Sequence, residues 1–157
     1  MNIRTAQKKD TASILHLLSQ VLEIHAALKP ELFISGTTKY TEAELAAIFA
    51  DSSRRTYVAE DESGQVVGYA FCQLIEYRNL NHIVPHTELY IDDLCVDSSA
   101  RGKGIGKALF AYVKEQAKAM GCLDITLNVW EGNTGAKAFY EAMGMQPKET
   151  KMECILK

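Results

Sequence analysis

A loop rich in glycine and basic residues, set between a strand-like and a helix-like run, limits what this chain can fold into more than any other feature. Residues 88–96 read as a strand, Arg101-Gly102-Lys103-Gly104-Ile105-Gly106 follows, and residues 107–120 carry apolar side chains at helical spacing. In that order the three make an anion site. The N–H groups of a first helical turn have no partners inside the helix, and the helix dipole adds partial positive charge there. Glycines let such a backbone come close to a phosphate. Arg101, Lys103 and Lys107 add positive charge to a chain whose formal net charge is only -3. That balance points to a bound anionic cofactor and away from a polynucleotide.

Spacing decides between kinds of loop. A Walker A loop ending at Gly106-Lys107 requires Gly where Arg101 stands and Ser or Thr where Ala108 stands. A dinucleotide fingerprint starting at Gly102 requires a small residue at Lys107 and an earlier place in the chain. The pattern that fits is Arg101-x-x-Gly104-x-Gly106. A second signature follows in Leu127-Asn128-Val129-Trp130-Glu131-Gly132-Asn133, then Ala136, Phe139-Tyr140-Glu141 and Gly144. Together they resemble the GNAT superfamily of acetyl-CoA-dependent N-acetyltransferases, most strongly over residues 88–145 and in outline from residue 57 onward.

That resemblance implies acetyl-CoA as the cofactor. Its pyrophosphate is expected on Arg101, Gly102, Lys103, Gly104, Ile105, Gly106 and Lys107. The pantetheine arm and acetyl carbonyl are expected along the backbone of Leu94, Cys95 and Val96, with Asn133 and Ala136 beside them. It further implies that Tyr140 protonates the departing thiolate, although an aromatic residue beside Phe139 also reads as core. Asn133 has a second reading, as a helix cap.

The base is left open. N-terminal acetyltransferases of ribosomal proteins in this superfamily carry a Glu where Asn128 stands here, and an amide cannot accept a proton. Tyr90 lies where other members place a Glu or Tyr that deprotonates the amine through water. Glu88 and Asp92 share its strand face by alternation, so each of the three is a candidate base or a holder of the amine cation, with Tyr90 and Asp92 ranked first. Asp93 points the other way unless a bulge intervenes. His25 continues an apolar helix face and reads as a buried histidine, while His82 and His86 read as solvated. By family layout Phe33, Tyr40 and Tyr77 line the acceptor site. The acceptor is expected to be a primary amine, either a small one such as a polyamine, which suits Glu88, Asp92 and Asp93, or a peptide amine. The rival reading is a non-catalytic acyl-CoA sensor.

With 157 residues, 47% of them hydrophobic, one domain with a single core is expected. No run of apolar residues was expected to reach membrane-span length, and Met1-Asn2-Ile3-Arg4 lacks a signal-peptide core, so a cytoplasmic protein with no membrane or nucleic-acid partner is the reading. The sequence leaves room for a homodimer. Cys72, Cys95, Cys122 and Cys154 are far apart and include no C-x-x-C pair, so they read as reduced, mostly buried thiols and not as a metal or disulfide framework.

Along the chain, residues 2–6 read as a strand and Asp10 as the cap of a helix that Pro30 ends. Thr41-Glu42-Ala43-Glu44 is a capping box for a shorter helix. Residues 57–60 and 65–76 form a hairpin, 87–96 a strand, 103–120 a helix ended by Gly121, and 123–129 a strand. Residues 134–143 form a helix ended by Gly144, and 151–156 a last strand. The fold class is α/β: a GNAT-like mixed sheet with helices on both faces, in the order β-α-α-β-β-β-α-β-α-β.

Overall fold

The computed structural model describes residues 1–156. Its five strands, β1 (Asn2–Thr5), β2 (Arg54–Glu60), β3 (Val66–Tyr77), β4 (His86–Val96) and β5 (Asp124–Leu127), form one sheet in sequence order. The first four are antiparallel neighbours, and β5 runs parallel to β4. Helices α1 (Thr11–Leu28) and α2 (Glu42–Ala50) cover one face; α3 (Ile105–Ala119) and α4 (Thr134–Ala142) cover the other.

Strand alternation divides the core between the two faces. Val58, Tyr69 and Phe71 meet Ile14, Leu17 and Leu18 of α1 and Leu45 and Ile48 of α2. Their sequence neighbours Tyr57, Ala70 and Cys72 meet Phe110 and Val113 of α3, with Phe139 and Tyr140 of α4 packed alongside. Gly68 lies at the tightest point, where an added Cβ would be 2.9 Å from the Cys95 carbonyl oxygen and 3.0 Å from Leu109.

The helix ends follow their local chemistry. Thr41 Oγ1 accepts from the Glu44 N–H at 3.2 Å while Glu44 accepts from the Thr41 N–H at 2.7 Å, closing the expected capping box. Gly121 and Gly144 adopt φ of 72° and 89° just past α3 and α4. The next N–H in each case, Cys122 and Met145, returns to a carbonyl of the last turn, Ala117 and Tyr140, at 3.0 Å. At the start of α1 the expectation fails. Asp10 makes no side-chain cap; its carboxylate accepts from the Gln7 N–H at 2.7 Å and from Arg4 at 2.8 and 2.9 Å.

Three further readings need correction. Residues 151–156 form no strand. Met152 and Leu156 are 82% and 91% exposed, and an ion pair of Glu153 with Lys29 stands where a ladder was expected. Strand propensity yields a strand only where an edge accepts its hydrogen bonds. Of the cysteines, Cys72 and Cys95 are buried, but Cys122 is half-buried and Cys154 exposed. Finally, α1 with its preceding turn (Lys8–Leu28) is long and apolar enough by composition to cross a membrane; here its residues Ile14, Leu17, Leu18 and Leu22 are packed into the core.

Candidate active site

The loop after β4 forms the turn its sequence requires. Asp97 caps a short 3-10 turn by accepting from the Ser99 N–H at 2.8 Å, and its other oxygen accepts from Gln20 of α1 at 3.2 Å. Gly102 and Gly104 take φ of 76° and 78°, a left-handed conformation in which only glycine is unstrained. The first bond of α3 runs from the Ala108 N–H to the Gly104 carbonyl at 3.0 Å, so the N–H groups of Ile105, Gly106 and Lys107 have no partner within the helix. Around Gly104 there is open space, with nothing within 4 Å of an added Cβ. Gly106 is small for a different reason: its Cβ would lie 3.4 Å from Phe139 of α4. Lys103 and Lys107 are exposed, and Arg101 donates from Nε to the Val96 carbonyl at 3.2 Å. Free N–H groups, open space at a glycine and three cations fit a pyrophosphate.

Beside this loop the sheet opens. Pairing of β4 with β5 stops at Ile91↔Leu127, whereas β4 continues to Val96 against β3 alone. The backbone of Leu94, Cys95 and Val96 therefore presents one free hydrogen-bonding edge. A slender polar chain carrying amides, as pantetheine is, fits such an edge. The Cys95 thiol itself faces away, toward the Leu17 carbonyl of α1 at 3.8 Å, and burial with the charge of Asp93 pushes it up to about 12.

Where β4 parts from β5 it also carries a bulge against β3. Phe71 pairs with Asp93 and Cys72 with Ile91, which leaves Asp92 as the extra residue. This is the exception that the sequence reading allowed for Asp93, and it turns that side chain to the face of its neighbour. Tyr69, on the α1 face, donates to Asp93 Oδ2 at 2.7 Å, and Tyr40, before α2, donates to Asp92 Oδ2 at 2.5 Å. Both carboxylates thus lie on the α1 face. Asp92 is also paired with Lys39 at 3.0 Å. Asp93 keeps a little accessible surface but is enclosed by protein, and the loss of hydration raises its carboxyl above the usual range, with Tyr69, Lys39 and His25 opposing.

His25 is half-buried and, among the described residues, has no hydrogen-bond partner, so the satisfied histidine of the sequence reading is not found. Burial lowers its pKa and keeps the ring neutral near pH 7. Phe33 packs between it and Trp130, tilted against the histidine and edge-on to the indole, with ring centroids at 5.3 and 5.4 Å, and so joins the 29–40 segment to the turn before α4.

Tyr140 lies on α4 within the aromatic cluster of Phe110 and Phe139. Burial first, then the charge of Asp93, pushes its phenol upward. Among the described residues its hydroxyl has no hydrogen-bond partner. Asn133 caps α4, its Oδ1 accepting from the Ala136 N–H at 3.2 Å.

Other sequence candidates have partners of their own. Glu88 is buried, accepting from Thr126 at 2.7 Å and paired with Lys148 at 3.4 Å, so it is occupied in holding β4 to β5. Tyr90 accepts at its hydroxyl from Asn128 at 3.2 Å. Tyr77 stacks on His86 at 4.6 Å at the opposite end of the sheet and does not line the cleft. Lys39 and Trp130 were not singled out as site residues, because only the folded 29–40 segment brings Lys39 to Asp92 and Phe33 to Trp130.

Comparison with known proteins agrees with this geometry. The sequence profile described as Acetyltransferase (GNAT) family matches residues 19–145. The chain is similar to the uncharacterized N-acetyltransferase YhfO of Bacillus subtilis, 27% identical over 93% of this chain and 90% of that one. It is similar to a glucosamine 6-phosphate N-acetyltransferase of Trypanosoma brucei brucei, 30% identical over 99% and 96% of the two chains. A crystal structure of a mutant BH1408 protein from Bacillus halodurans superposes with a TM-score of 0.96, at 30% identity and over 100% of both chains. With the glycine loop, the opened sheet and the profile match in agreement, the chain belongs to the GNAT family of acetyltransferases and is an acyltransferase.

Proposed function

We propose that this enzyme moves the acetyl group of acetyl-CoA onto the primary amine of a small polar molecule, by direct transfer with both substrates bound. The observation that carries this reading is the bulge at Asp92. It sets two carboxylates on one face of β4 beside the strand edge that is free to take pantetheine. An amine arrives as a cation, and a recess with two acidic groups, one lysine and a neutral histidine favours it over neutral competitors. The cover formed by Phe33 against Trp130 narrows the approach and favours a small acceptor over a folded protein's terminus. Relatives named for glucosamine 6-phosphate, thialysine and an aminoglycoside support small amines as the class.

Bound acetyl-CoA supplies the electrophilic thioester. The free N–H groups of Ile105, Gly106 and Lys107 hold its diphosphate, with Arg101 and Lys103 adding charge. Backbone N–H groups at Leu94 to Val96 orient the acetyl carbonyl and stabilise the oxygen as it gains negative charge. Asn133 keeps α4 in register so that Tyr140 meets the sulfur. Tyr140, held protonated by its surroundings, gives its proton to the thiolate.

A panel tests the acceptor class. Free-CoA release is measured with glucosamine 6-phosphate, thialysine, an aminoglycoside, spermidine and a short peptide bearing a free N-terminus. Turnover of one or more small amines above the peptide is the expected result. Preference for the peptide would move the acceptor to the polypeptide class.

A further inference from the structure

We propose that Asp93 is the base that takes the proton from the acceptor's ammonium group, while Asp92 anchors that cation. The inference rests on the small-amine reading above and assigns a role to a residue that strand alternation points away from the site.

The two carboxylates differ in what they already hold. Asp92 has a cation, Lys39, at 3.0 Å and the Tyr40 hydroxyl on the same oxygen, Oδ2, so that oxygen is held in place and its other oxygen is left to meet a cation. Asp93 has one neutral partner. The Tyr69 hydroxyl donates to its Oδ2 at 2.7 Å from a side chain that is 0% exposed and packed edge-on against Phe71. Its Oδ1 has no hydrogen-bond partner among the described residues and, unlike Asp124 Oδ1, is not fully enclosed. That oxygen is open to an incoming N–H. The charged and titratable groups that face Asp93 are His25 of α1, Lys39 of the 29–40 segment, Tyr69 of β3, Tyr140 of α4, and Asp92 and Cys95 of its own strand. A base in such a recess is matched to an ammonium far better than a solvated aspartate.

The step balances. One proton passes from the ammonium nitrogen to Asp93 Oδ1, leaving a neutral amine whose lone pair forms the C–N bond as the C–S bond breaks. Tyr140 gives the thiolate its proton and is restored by the second proton lost from nitrogen. Asp93 releases its own proton to water after the amide leaves. The sum is ammonium plus thioester giving amide, thiol and one proton.

Two measurements test it. Carboxyl carbon-13 NMR on aspartate-labelled protein, with no acceptor present, reads the titration of Asp93 directly, assigned by the signal missing in Asp93→Asn. The expected result is a carboxyl that titrates above the other aspartates and moves roughly half a unit or more higher in Tyr69→Phe, which loses a hydrogen bond to the charged form. The second is the pH profile of kcat/KM with glucosamine 6-phosphate. Asp93→Asn should lower kcat tenfold or more and flatten the acid limb, and Asp93→Glu should restore part of it. Asp92→Asn should raise KM more than it lowers kcat. In Tyr69→Phe the acid limb should move to higher pH with the carboxyl signal. A merely structural Asp93 moves none of these limbs. An Asp93 signal titrating with the exposed aspartates, or an Asp93→Asn enzyme with the parent's kcat and acid limb, overturns the proposal. Should no amine of the panel turn over, the small-amine reading falls, and the carbon-13 titration still decides whether Asp93 is a poised base.

Discussion

Tyr140 combines two properties that are seldom found together, an enclosed aromatic setting and a phenol with no partner among the described residues. The hydroxyl is not fully enclosed, so a reaction partner can reach it. Replacing it with Phe keeps the ring and its packing in the cluster. We therefore expect Tyr140→Phe to melt no lower than the parent and to bind acetyl-CoA unchanged, while turnover falls roughly ten- to a thousandfold, as for loss of a general acid. Since the phenol is pushed upward by burial and by Asp93, the parent should show no loss of rate from its ionisation below about pH 10. A parent-like turnover number in the variant would return Tyr140 to the core.

At the scale of elements, α3 is both a wall of the core and an anion receptor, and two glycines separate these functions. Gly104 stands in open space at φ 78°, so Gly104→Val strains the turn by about 1–2 kcal/mol and fills the approach to the free N–H groups. Saturating acetyl-CoA should raise the parent's melting temperature by about 5–10 °C at a hundred times Kd, and this shift should vanish in the variant. ATP stabilising the parent more than CoA does would contradict the loop assignment. Gly68 makes no use of positive φ; Gly68→Ala should cost about 1–3 kcal/mol by overpacking against Cys95 and Leu109 and leave the acetyl-CoA shift intact. These elements were legible in the sequence because each reports itself locally, in the glycine loop, the capping box at Thr41 and the C-terminal glycines 121 and 144. The bulge at Asp92 has no such local signature. It arises where β4 must pair with β3 while parting from β5, so the direction of Asp93 could not be read by alternation. Nor could the last strand be judged, since Met152 and Leu156 have the right composition and no edge to join. Lys39 and Trp130 escaped because their role depends on a segment folding across the sheet.

Across the whole molecule, the sheet's first edge is fastened by one guanidinium. Arg4 of β1 donates to both oxygens of Asp10 ahead of α1, at 2.8 and 2.9 Å, and to Glu60 at the end of β2. Strand, helix and hairpin are joined at that point. Asp10 is 4% exposed, so removing Arg4 leaves a nearly buried carboxylate without its cation. We expect Arg4→Met to cost about 2 kcal/mol at pH 7, below the range for a fully enclosed pair because the Arg4 side chain is 20% exposed. The pH dependence has a fixed sign. Hydrogen bonds from Arg4 hold the carboxyls of Asp10 and Glu60 below the usual range, so their contribution is complete above the unfolded values, about 4, and is lost as pH falls through the lower folded ones. Urea melts of parent and variant at pH 7, 5, 4 and 3 should therefore show a gap that is level from 7 to 5 and narrows below about 4. A gap that persists unchanged to pH 3 would assign the loss to the packing of the Arg4 stem along β1, and the ionic fastening would have no part in closing the edge.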